Sequence, residues 1–379
     1  MKRNLLLSPG PSKVPPELCE ALGRPIIHHR TPQFQNILKE VFEGLKKVLK
    51  TQNDVFIFAS SGTGSMEAAV CNLLSAGDKA VTVEAGKFGE RWTELCKAYG
   101  VLPKVVQITW GQSVKASTIK DMLDADKDIK AVFITLCETS TATMPDVKAI
   151  ADVVKKTNAV LVIDAVSGLG PDELRTDEWG VDVVCSASHK GLMLPPGVSF
   201  VSVSLKAMKL VEQSKLPKYY FDFKKCKKAA DKIDTPFTPA INLVIALNES
   251  LKMVNERGIE NIWSYYAKMA QGVRAAANAL KLKVLADEKS ASNAVTAIFV
   301  PEGIDGGKLV KTLRDVHGIT MAGGQGDLKG KIIRIAHMGA VDEYDILTGI
   351  SSLEKVLHQM GYKFELGVGV AAAQKVFNS

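Results

Sequence analysis

Residues 160–167 read Val160-Leu161-Val162-Ile163-Asp164-Ala165-Val166-Ser167, an uninterrupted apolar run that delivers an acid at its end. Short β-branched runs of this kind are typical of strands buried on both faces, as in parallel sheets covered by helices. Open α/β sheets bind ligands beyond the carboxyl ends of their strands, so Asp164 is a candidate functional residue. The alternative is a structural aspartate that caps the following helix.

Similar runs recur on both sides of this stretch and alternate with helical patterns. They are Val55 to Ala59, Ala80 to Val83, Val105 to Ile108, Ala131 to Leu136, Val183 to Cys185 and Ser199 to Val203. This alternation predicts an α/β fold whose large domain holds a mostly parallel seven-stranded sheet between helices.

Later runs, at residues 294–300 and 331–335, alternate with further helical patterns and predict a smaller C-terminal α+β domain. We therefore expect an N-terminal extended segment over residues 1–14, a large domain over 15–255 and a small domain over 256–379.

Composition excludes several classes of protein. Hydrophobic residues make up 46% of the 379 and charged residues 23%, which is typical of a water-soluble globular chain and not of a disordered or fibrous one. No window offers the ~18 apolar residues of a membrane span. Met1-Lys2-Arg3 could begin a leader peptide, but Ser8-Pro9-Gly10-Pro11 ends the apolar run that follows.

The six cysteines are widely spaced, without the pairs or histidine neighbours of a metal site. We expect a cytoplasmic protein with reduced thiols, no metal and no contact with membranes.

Part of the net charge of +7 comes from one stretch, where nine lysines and only three acids fall between residues 206 and 232. Nucleic acid could bind such a stretch. The alternative is a solvated face that attracts anionic metabolites, and we favour it because no nucleic-acid-binding motif accompanies the lysines.

A glycine-rich turn, Ser61-Gly62-Thr63-Gly64-Ser65-Met66-Glu67, follows the first predicted strand of the large domain. Backbone N–H groups at the start of the next helix could hold a phosphate, helped by the hydroxyls of Thr63 and Ser65. The turn lacks the lysine of a Walker loop, and Glu67 replaces the third glycine of a dinucleotide fingerprint. Glu84 keeps the dinucleotide alternative open, and an ordinary tight turn is the other alternative.

A third stretch, Ser186-Ala187-Ser188-His189-Lys190-Gly191, brings a lysine to the end of another strand. A single lysine is most often a surface charge. A phosphate cradle, a carboxylate and a lysine at the strand ends of one sheet are, however, what pyridoxal 5'-phosphate (PLP) requires. That cofactor has a phosphate, a pyridine nitrogen whose proton a carboxylate keeps, and an aldehyde that condenses with an amine.

With these stretches in order, the sequence resembles the class V aminotransferases of PLP fold type I, in particular the alanine–glyoxylate and serine–glyoxylate (serine–pyruvate) group. The resemblance covers almost the whole chain. Besides the three stretches above, it rests on Ser8-Pro9-Gly10-Pro11, His29-Arg30-Thr31-Pro32, Glu138-Thr139-Ser140-Thr141, Thr235-Pro236-Phe237-Thr238-Pro239 and Ile333-Arg334-Ile335-Ala336-His337-Met338-Gly339.

The resemblance implies a role for each matching residue. Lys190 resembles the Schiff-base lysine and Asp164 the partner of the pyridine nitrogen, so these two are the expected catalytic residues. Arg334 resembles the arginine that clamps the substrate carboxylate, and Thr235 is also expected to bind the substrate. The other expected cofactor contacts are Thr63, Gly64, Ser65, Phe88 as the ring that stacks on the cofactor, Thr139, Val166, His189 and Thr238.

Thr238 resembles a residue that reaches the neighbouring chain's cofactor phosphate, which implies a homodimer with shared active sites. Two positions leave alternatives open. His189 stands where the most similar relatives carry glutamine and desulfurase-like relatives carry histidine. Arg30 is a rival carboxylate clamp whose ordinary role would be a salt bridge.

The expected reaction moves an amino group from alanine or serine to glyoxylate or pyruvate. One alternative is a PLP-dependent lyase or desulfurase, although a desulfurase needs a cysteine from the smaller domain and none occurs after Cys226. The other is a non-catalytic subunit associated with a hydrogenase. No cysteine spacing suits an iron–sulfur or nickel site, so redox chemistry of its own is disfavoured.

Overall fold

The structure, a computed structural model, describes residues 4–379. Met1, Lys2 and Arg3, which open the predicted segment 1–14 and the possible leader peptide, lie outside the described residues. The strands are β1 (Leu5–Leu6), β2 (Asp54–Phe58), β3 (Lys79–Glu84), β4 (Leu102–Gln107), β5 (Ile129–Thr135), β6 (Val160–Asp164), β7 (Val183–Ala187), β8 (Ser199–Val203), β9 (Val295–Phe299), β10 (Ile319–Thr320), β11 (Ala322–Gly323) and β12 (Ile332–Ala336).

The helices are α1 (Pro16–Leu22), α2 (Pro32–Leu49), α3 (Gly62–Leu73), α4 (Lys87–Ala98), α5 (Ala116–Ala125), α6 (Val147–Val154), α7 (Thr176–Trp179), α8 (Leu205–Gln213), α9 (Phe223–Ala230), α10 (Ile241–Arg257), α11 (Ile259–Ala279), α12 (Gly306–His317), α13 (Glu343–Gln359) and α14 (Val368–Phe377). Among residues 4–379, no helix combines the length and the apolar character that crossing a membrane requires. A cytoplasmic location and the absence of nucleic-acid partners stay predictions.

The large sheet has seven strands in the order β2-β8-β7-β6-β5-β3-β4. Strands β3 to β7 are mutually parallel, and β8 is antiparallel to both of its neighbours, so β2 runs in the same direction as β7. Six strands therefore end at the same edge. The predicted α/β class with a mostly parallel seven-stranded sheet is confirmed.

Successive residues of β6 pack on opposite faces of this sheet. Leu161 and Ile163 belong to a core shared with α2, α5, α6 and α10, whereas Val160 and Val162 belong to a core shared with α3, α4 and α9. Because both faces are covered, β6 reads as a continuous apolar run in the sequence, and helices enclose the sheet on both sides.

The C-terminal part of the chain forms a three-stranded antiparallel sheet, β11-β12-β9, whose core is shared with α11 to α14. The N-terminal segment joins it, since β1 pairs in parallel with β10. The predicted domain boundary after Asn255 stays a prediction; α10 ends at Arg257, and Gly258 separates it from α11.

The lysine-rich stretch contains two helices, α8 and α9, that the sequence did not predict. Helix α9 buries only Phe223 and Cys226, while Lys227 forms ion pairs with Asp54 and Asp231. Helix α14 was likewise not predicted.

Candidate active site

A cavity opens at the edge of the large sheet where β2, β6 and β7 end. It brings together the three stretches that the sequence singled out, together with residues of α4. Its lining is Ser61, Gly62, Thr63, Met66, Phe88, Arg91, Asp164, Val166, Ser167, His189 and Lys190.

Lys190 lies in a tight loop between β7 and β8. The loop is held by backbone hydrogen bonds from Ser188 N to Val198 O (2.9 Å) and from Met193 N to Lys190 O (3.0 Å). The lysine side chain is buried, and its Nζ donates a hydrogen bond to Pro9 O. Burial lowers the pKa of Lys190 to about 8, so a useful fraction of the amine is neutral near physiological pH.

Asp164 ends β6 and is buried. Its Oδ1 accepts a hydrogen bond from Val166 N (2.8 Å), which holds the carboxylate at the cavity wall. Burial raises the pKa of Asp164 to about 6, against the opposing effects of the Val166 N–H and of the charges on Arg91 and Lys190. A cation bound beside this carboxylate would favour its ionised form.

The glycine-rich turn becomes the N-terminus of α3, which no side chain caps. A Cβ added to Gly62 would stand 2.6 Å from Val166 Cγ2, so the glycine permits close approach of the helix to the loop after β6. Ser65 is fully buried, and its hydroxyl donates to Gly62 O (2.7 Å). Thr63 lines the cavity, whereas the Ser65 hydroxyl proton is engaged within the helix.

Phe88 is held by the acid that follows β5. The two Glu138 oxygens accept hydrogen bonds from Phe88 N (3.0 Å), Gly89 N (2.8 Å) and both the N and Oγ of Ser140. Burial raises the pKa of Glu138, and these donors oppose the rise. Arg91, one turn further along α4, lies over the Phe88 ring at 5.0 Å from its centroid.

Arg334 lies on β12, buried behind the loop that follows β5. Its Nε donates to Gly323 O (3.0 Å) and its Nη1 to Thr139 O (2.9 Å), while Thr139 Oγ1 donates to Ser167 Oγ (2.9 Å). These contacts fix the guanidinium plane, link it to the cavity-lining residue Ser167 and leave Nη2 for a ligand. Arg334 is also near enough to Lys190 for its charge to lower the lysine pKa.

Thr235 and Thr238 line a different cavity, beside Tyr220 and Phe237. Thr235 Oγ1 donates to Phe237 O (2.8 Å), and Thr238 is exposed. Within one chain the structure therefore does not bring these two threonines to Lys190. Arg30 forms an ion pair with Asp234 and is half-exposed, as its alternative role predicts.

Three features of the residues around this cavity fit PLP. Among residues 4–379, His189 Nδ1 is buried without a hydrogen-bond partner, Asp164 accepts a single hydrogen bond, and no side chain caps the first amides of α3. Burial lowers the pKa of His189 to about 4, so the imidazole is neutral and can donate to a phosphate through one nitrogen.

Two candidate functional residues, Arg91 and Glu138, were not predicted from the sequence. Arg91 could have been found from its place three residues after Phe88 on one helix, which puts both on one face. Glu138 was part of a matching motif, but nothing in the sequence indicated that it caps α4. In the part of the chain that the structure describes, no group of three or more potential ligands is placed to hold a metal ion.

Comparison with known proteins agrees with this site. The class V aminotransferase family matches residues 5–340. The chain is 43% identical to the small subunit of a soluble hydrogenase from a Synechococcus species, over 99% of this chain and 98% of that one. It is 38% identical to L-aspartate–glyoxylate aminotransferase of Paracoccus denitrificans, over 98% and 96%. The crystal structure of a Nostoc alanine–glyoxylate aminotransferase superposes with a TM-score of 0.91 at 27% identity, covering 94% and 96%.

Proposed function

The chain belongs to the class V aminotransferases, and we propose that it transfers the amino group of alanine or serine to glyoxylate or pyruvate. It is a PLP-dependent enzyme. The observation that carries the proposal is the meeting of a buried amine, a buried carboxylate and an uncapped helix N-terminus in one cavity.

When bound, PLP supplies an aldehyde that reacts with amines and a ring that draws electron density from the bond broken at the substrate Cα. Lys190 is the base: its Nζ, with a pKa lowered to about 8, accepts the proton that leaves the substrate Cα. Asp164 holds the proton of the pyridine nitrogen through its carboxylate, which the Val166 N–H keeps in place.

Binding and orientation fall to the residues around this pair. Thr63, Gly64, Ser65 and His189 would hold the phosphate by amides, hydroxyl and imidazole, and Phe88 and Val166 would supply apolar contacts to the ring. Arg334 orients the substrate by its carboxylate, which donor and acceptor share, so one arginine serves both halves of the reaction.

A panel of amino acids and 2-oxo acids tests the proposal. Alanine or serine, mixed with PLP-loaded protein, should abolish the visible absorption band, and glyoxylate or pyruvate should restore it. Lys190→Ala should show neither change. Lys218→Ala, which removes another partly buried lysine outside the cavity, should behave as wild type. A stronger response to aspartate would overturn the choice of donor but not the family.

The same panel separates the two alternatives. Release of sulfide from cysteine would support a desulfurase, although Cys226 is buried on α9 and does not line the cavity. A non-catalytic subunit associated with a hydrogenase would leave the band unchanged with every amino acid.

We propose further that two chains form a homodimer in which Thr238 reaches the partner's cofactor phosphate. Two observations support this. Thr238 lies apart from Lys190 within one chain, and an aromatic patch formed by Tyr219, Tyr220 and Phe237 lies beside it, with Tyr219 73% exposed. Exposed apolar patches of this kind are typical of protein interfaces.

Mixing two inactive variants tests this arrangement. Lys190→Ala and Thr238→Glu proteins are unfolded together and refolded as a mixture. If sites are shared, a mixed dimer has one site with both lesions and one with neither, and random pairing returns roughly a quarter of the wild-type activity per chain. Mixed dimers without activity would show that Thr238 serves its own chain.

A further inference from the structure

The N-terminal segment Ser8–Ser12 lies directly against the catalytic lysine. Lys190 Nζ donates to Pro9 O, Ser12 Oγ donates to Lys190 O (2.8 Å), and Ser12 N donates to His189 O (3.1 Å). The segment thus contacts both the side chain and the backbone of the loop that carries the lysine. These residues form a motif that the chain shares with the class V aminotransferases, and the sequence alone indicated no role for them.

Gly10 is the point of closest approach. Its φ is +118°, and an added Cβ would stand 2.2 Å from Lys190 Nζ, 2.4 Å from Cε and 2.6 Å from Cδ. Non-bonded atoms do not approach so closely, so any side chain at position 10 would occupy the place of the lysine side chain.

Contacts on both sides fix the path of this segment. On its N-terminal side β1 pairs with β10, and Ala336 N donates to Leu7 O (2.8 Å). On its C-terminal side Lys13 forms an ion pair with Asp345 (2.9 Å). The segment therefore joins the small domain to Lys190.

We propose that segment Ser8–Ser12 is a positioning element, in which the Pro9 carbonyl holds the Lys190 amine whenever that amine is not engaged with cofactor or substrate. Gly10 provides the space for the amine. Among the described residues Pro9 O is the hydrogen-bond acceptor of this buried amine, which would otherwise lose its hydration without compensation. The inference rests on the proposed function only in assigning Lys190 as the base.

Gly10→Ala tests the proposal, with Gly303→Ala as the matched control. Gly303 has a similarly positive φ of +81°, but a Cβ there would meet nothing within 4 Å. Both variants therefore carry backbone strain, and only the first displaces the lysine. Equal thermal unfolding midpoints would show that both fold alike.

The first measurement uses the full chain freed of cofactor and needs no turnover. The rate at which acetic anhydride labels Lys190, followed by mass spectrometry across pH, gives the pKa of the amine. Gly10→Ala removes a hydrogen bond that favours the charged amine, so its midpoint should fall by about half a unit or more. The midpoint for Gly303→Ala should match wild type.

The second measurement is the rate of the alanine half-reaction, which displacement of the base by about 1 Å should slow about a hundredfold. Ser12→Ala should lower the labelling midpoint in the same direction by a smaller amount, and it carries the test if Gly10→Ala does not fold. Wild-type labelling profiles in both variants would overturn the proposal. Wild-type protein inactive with every substrate, but with the labelling shift present, would instead overturn the proposed function.

Discussion

Two buried aspartates show how the proposed active site differs from the seam at which Asp172, after β6, meets Ser292 and Asn293, which precede β9. Both are buried, and burial raises the pKa of each to about 6. Asp164 accepts one hydrogen bond, from Val166 N, whereas Asp172 accepts one on each oxygen, from Ser292 Oγ and Asn293 N (both 2.6 Å). A shifted pKa therefore does not distinguish the proposed functional carboxylate from the structural one, whereas the unused hydrogen-bonding capacity of Asp164 does.

Two buried histidines differ in the same way, in how many of their polar atoms form hydrogen bonds. Burial lowers the pKa of His189 to about 4 and that of His337 to about 3. His337 bonds through both nitrogens, to Thr296 Oγ1 (2.9 Å) and Asn293 O (2.7 Å), but His189 Nδ1 has no partner among residues 4–379. His337 and both of its partners belong to the C-terminal sheet and the residues next to it, so its two nitrogens serve the fold, whereas His189 Nδ1 is left for a ligand.

The largest effect should come from Lys190→Ala. Loss of the base should slow the alanine half-reaction by about 10⁴-fold or more. The variant should still bind PLP in equilibrium dialysis, because the residues proposed to hold the phosphate, Thr63, Gly64, Ser65 and His189, are unchanged. Its thermal midpoint should stay equal or rise, since a buried amine with a single acceptor is removed. An undiminished half-reaction would end the assignment of Lys190.

Asp164→Asn should have the next largest effect. The amide keeps the shape of the side chain but loses the charge that keeps the pyridine nitrogen protonated, so kcat should fall about a thousandfold. The free energy of unfolding at pH 7 should not fall, because Asp164 accepts one hydrogen bond and the amide removes the cost of burying a charge there. Near-normal turnover would mean that another residue governs the ring nitrogen.

Arg334→Lys should have a smaller effect, on binding. A lysine cannot donate to Gly323 O and Thr139 O and still present a planar fork, so KM should rise about tenfold for donors and acceptors alike. Arg30→Lys is the matched control, because Arg30 pairs with Asp234 and should be replaceable. A rise confined to one substrate would make Arg30 the favoured clamp.

Much of the fold could be predicted because buried parallel strands are recognisable in the sequence as runs of β-branched residues. The exception in the large sheet is β4, predicted at Val105 to Ile108 and found at Leu102–Gln107. It is an edge strand, with Leu102 and Val105 exposed and Pro103 near its start, so its composition is less distinct. Helix α9 was missed although Phe223, Cys226 and Ala230 recur at helical spacing, because its four lysines were interpreted only as part of a charged surface.

The meeting of Asp164 and Lys190 in one cavity could be predicted because Asp164 ends one strand and Lys190 follows another. The support around it could not. Glu138 reaches Phe88 only because the loop after β5 folds against the helix after β3, and Pro9 meets Lys190 across 181 residues of sequence. Such contacts depend on how distant elements pack, which no local pattern specifies.

Asp172→Asn should leave turnover almost unchanged and act on stability instead. Asp172 accepts from a hydroxyl and a backbone N–H, and an amide that accepts one of these bonds turns its NH₂ toward the other donor. Leaving that buried donor unsatisfied should lower the free energy of unfolding by about 2 kcal/mol, measured by urea titration at pH 7. A large loss of kcat with unchanged stability would erase the distinction between seam and site.

The pH dependence of the unfolding free energy, compared between wild type and Asp172→Asn, gives a sharper test. Burial raises the pKa of Asp172 from 3.8 to about 6, so between these values the folded chain binds more protons than the unfolded chain. The resulting contribution to stability is present at low pH and is lost as the pH rises through 6. Asp172→Asn lacks this titrating group. Asp164 titrates in both proteins, so its contribution cancels in the difference between their unfolding free energies. The difference in unfolding free energy between wild type and Asp172→Asn should therefore widen as the pH is lowered from 7 to 5. A constant difference would show that Asp172 does not lie in the buried environment described for the seam.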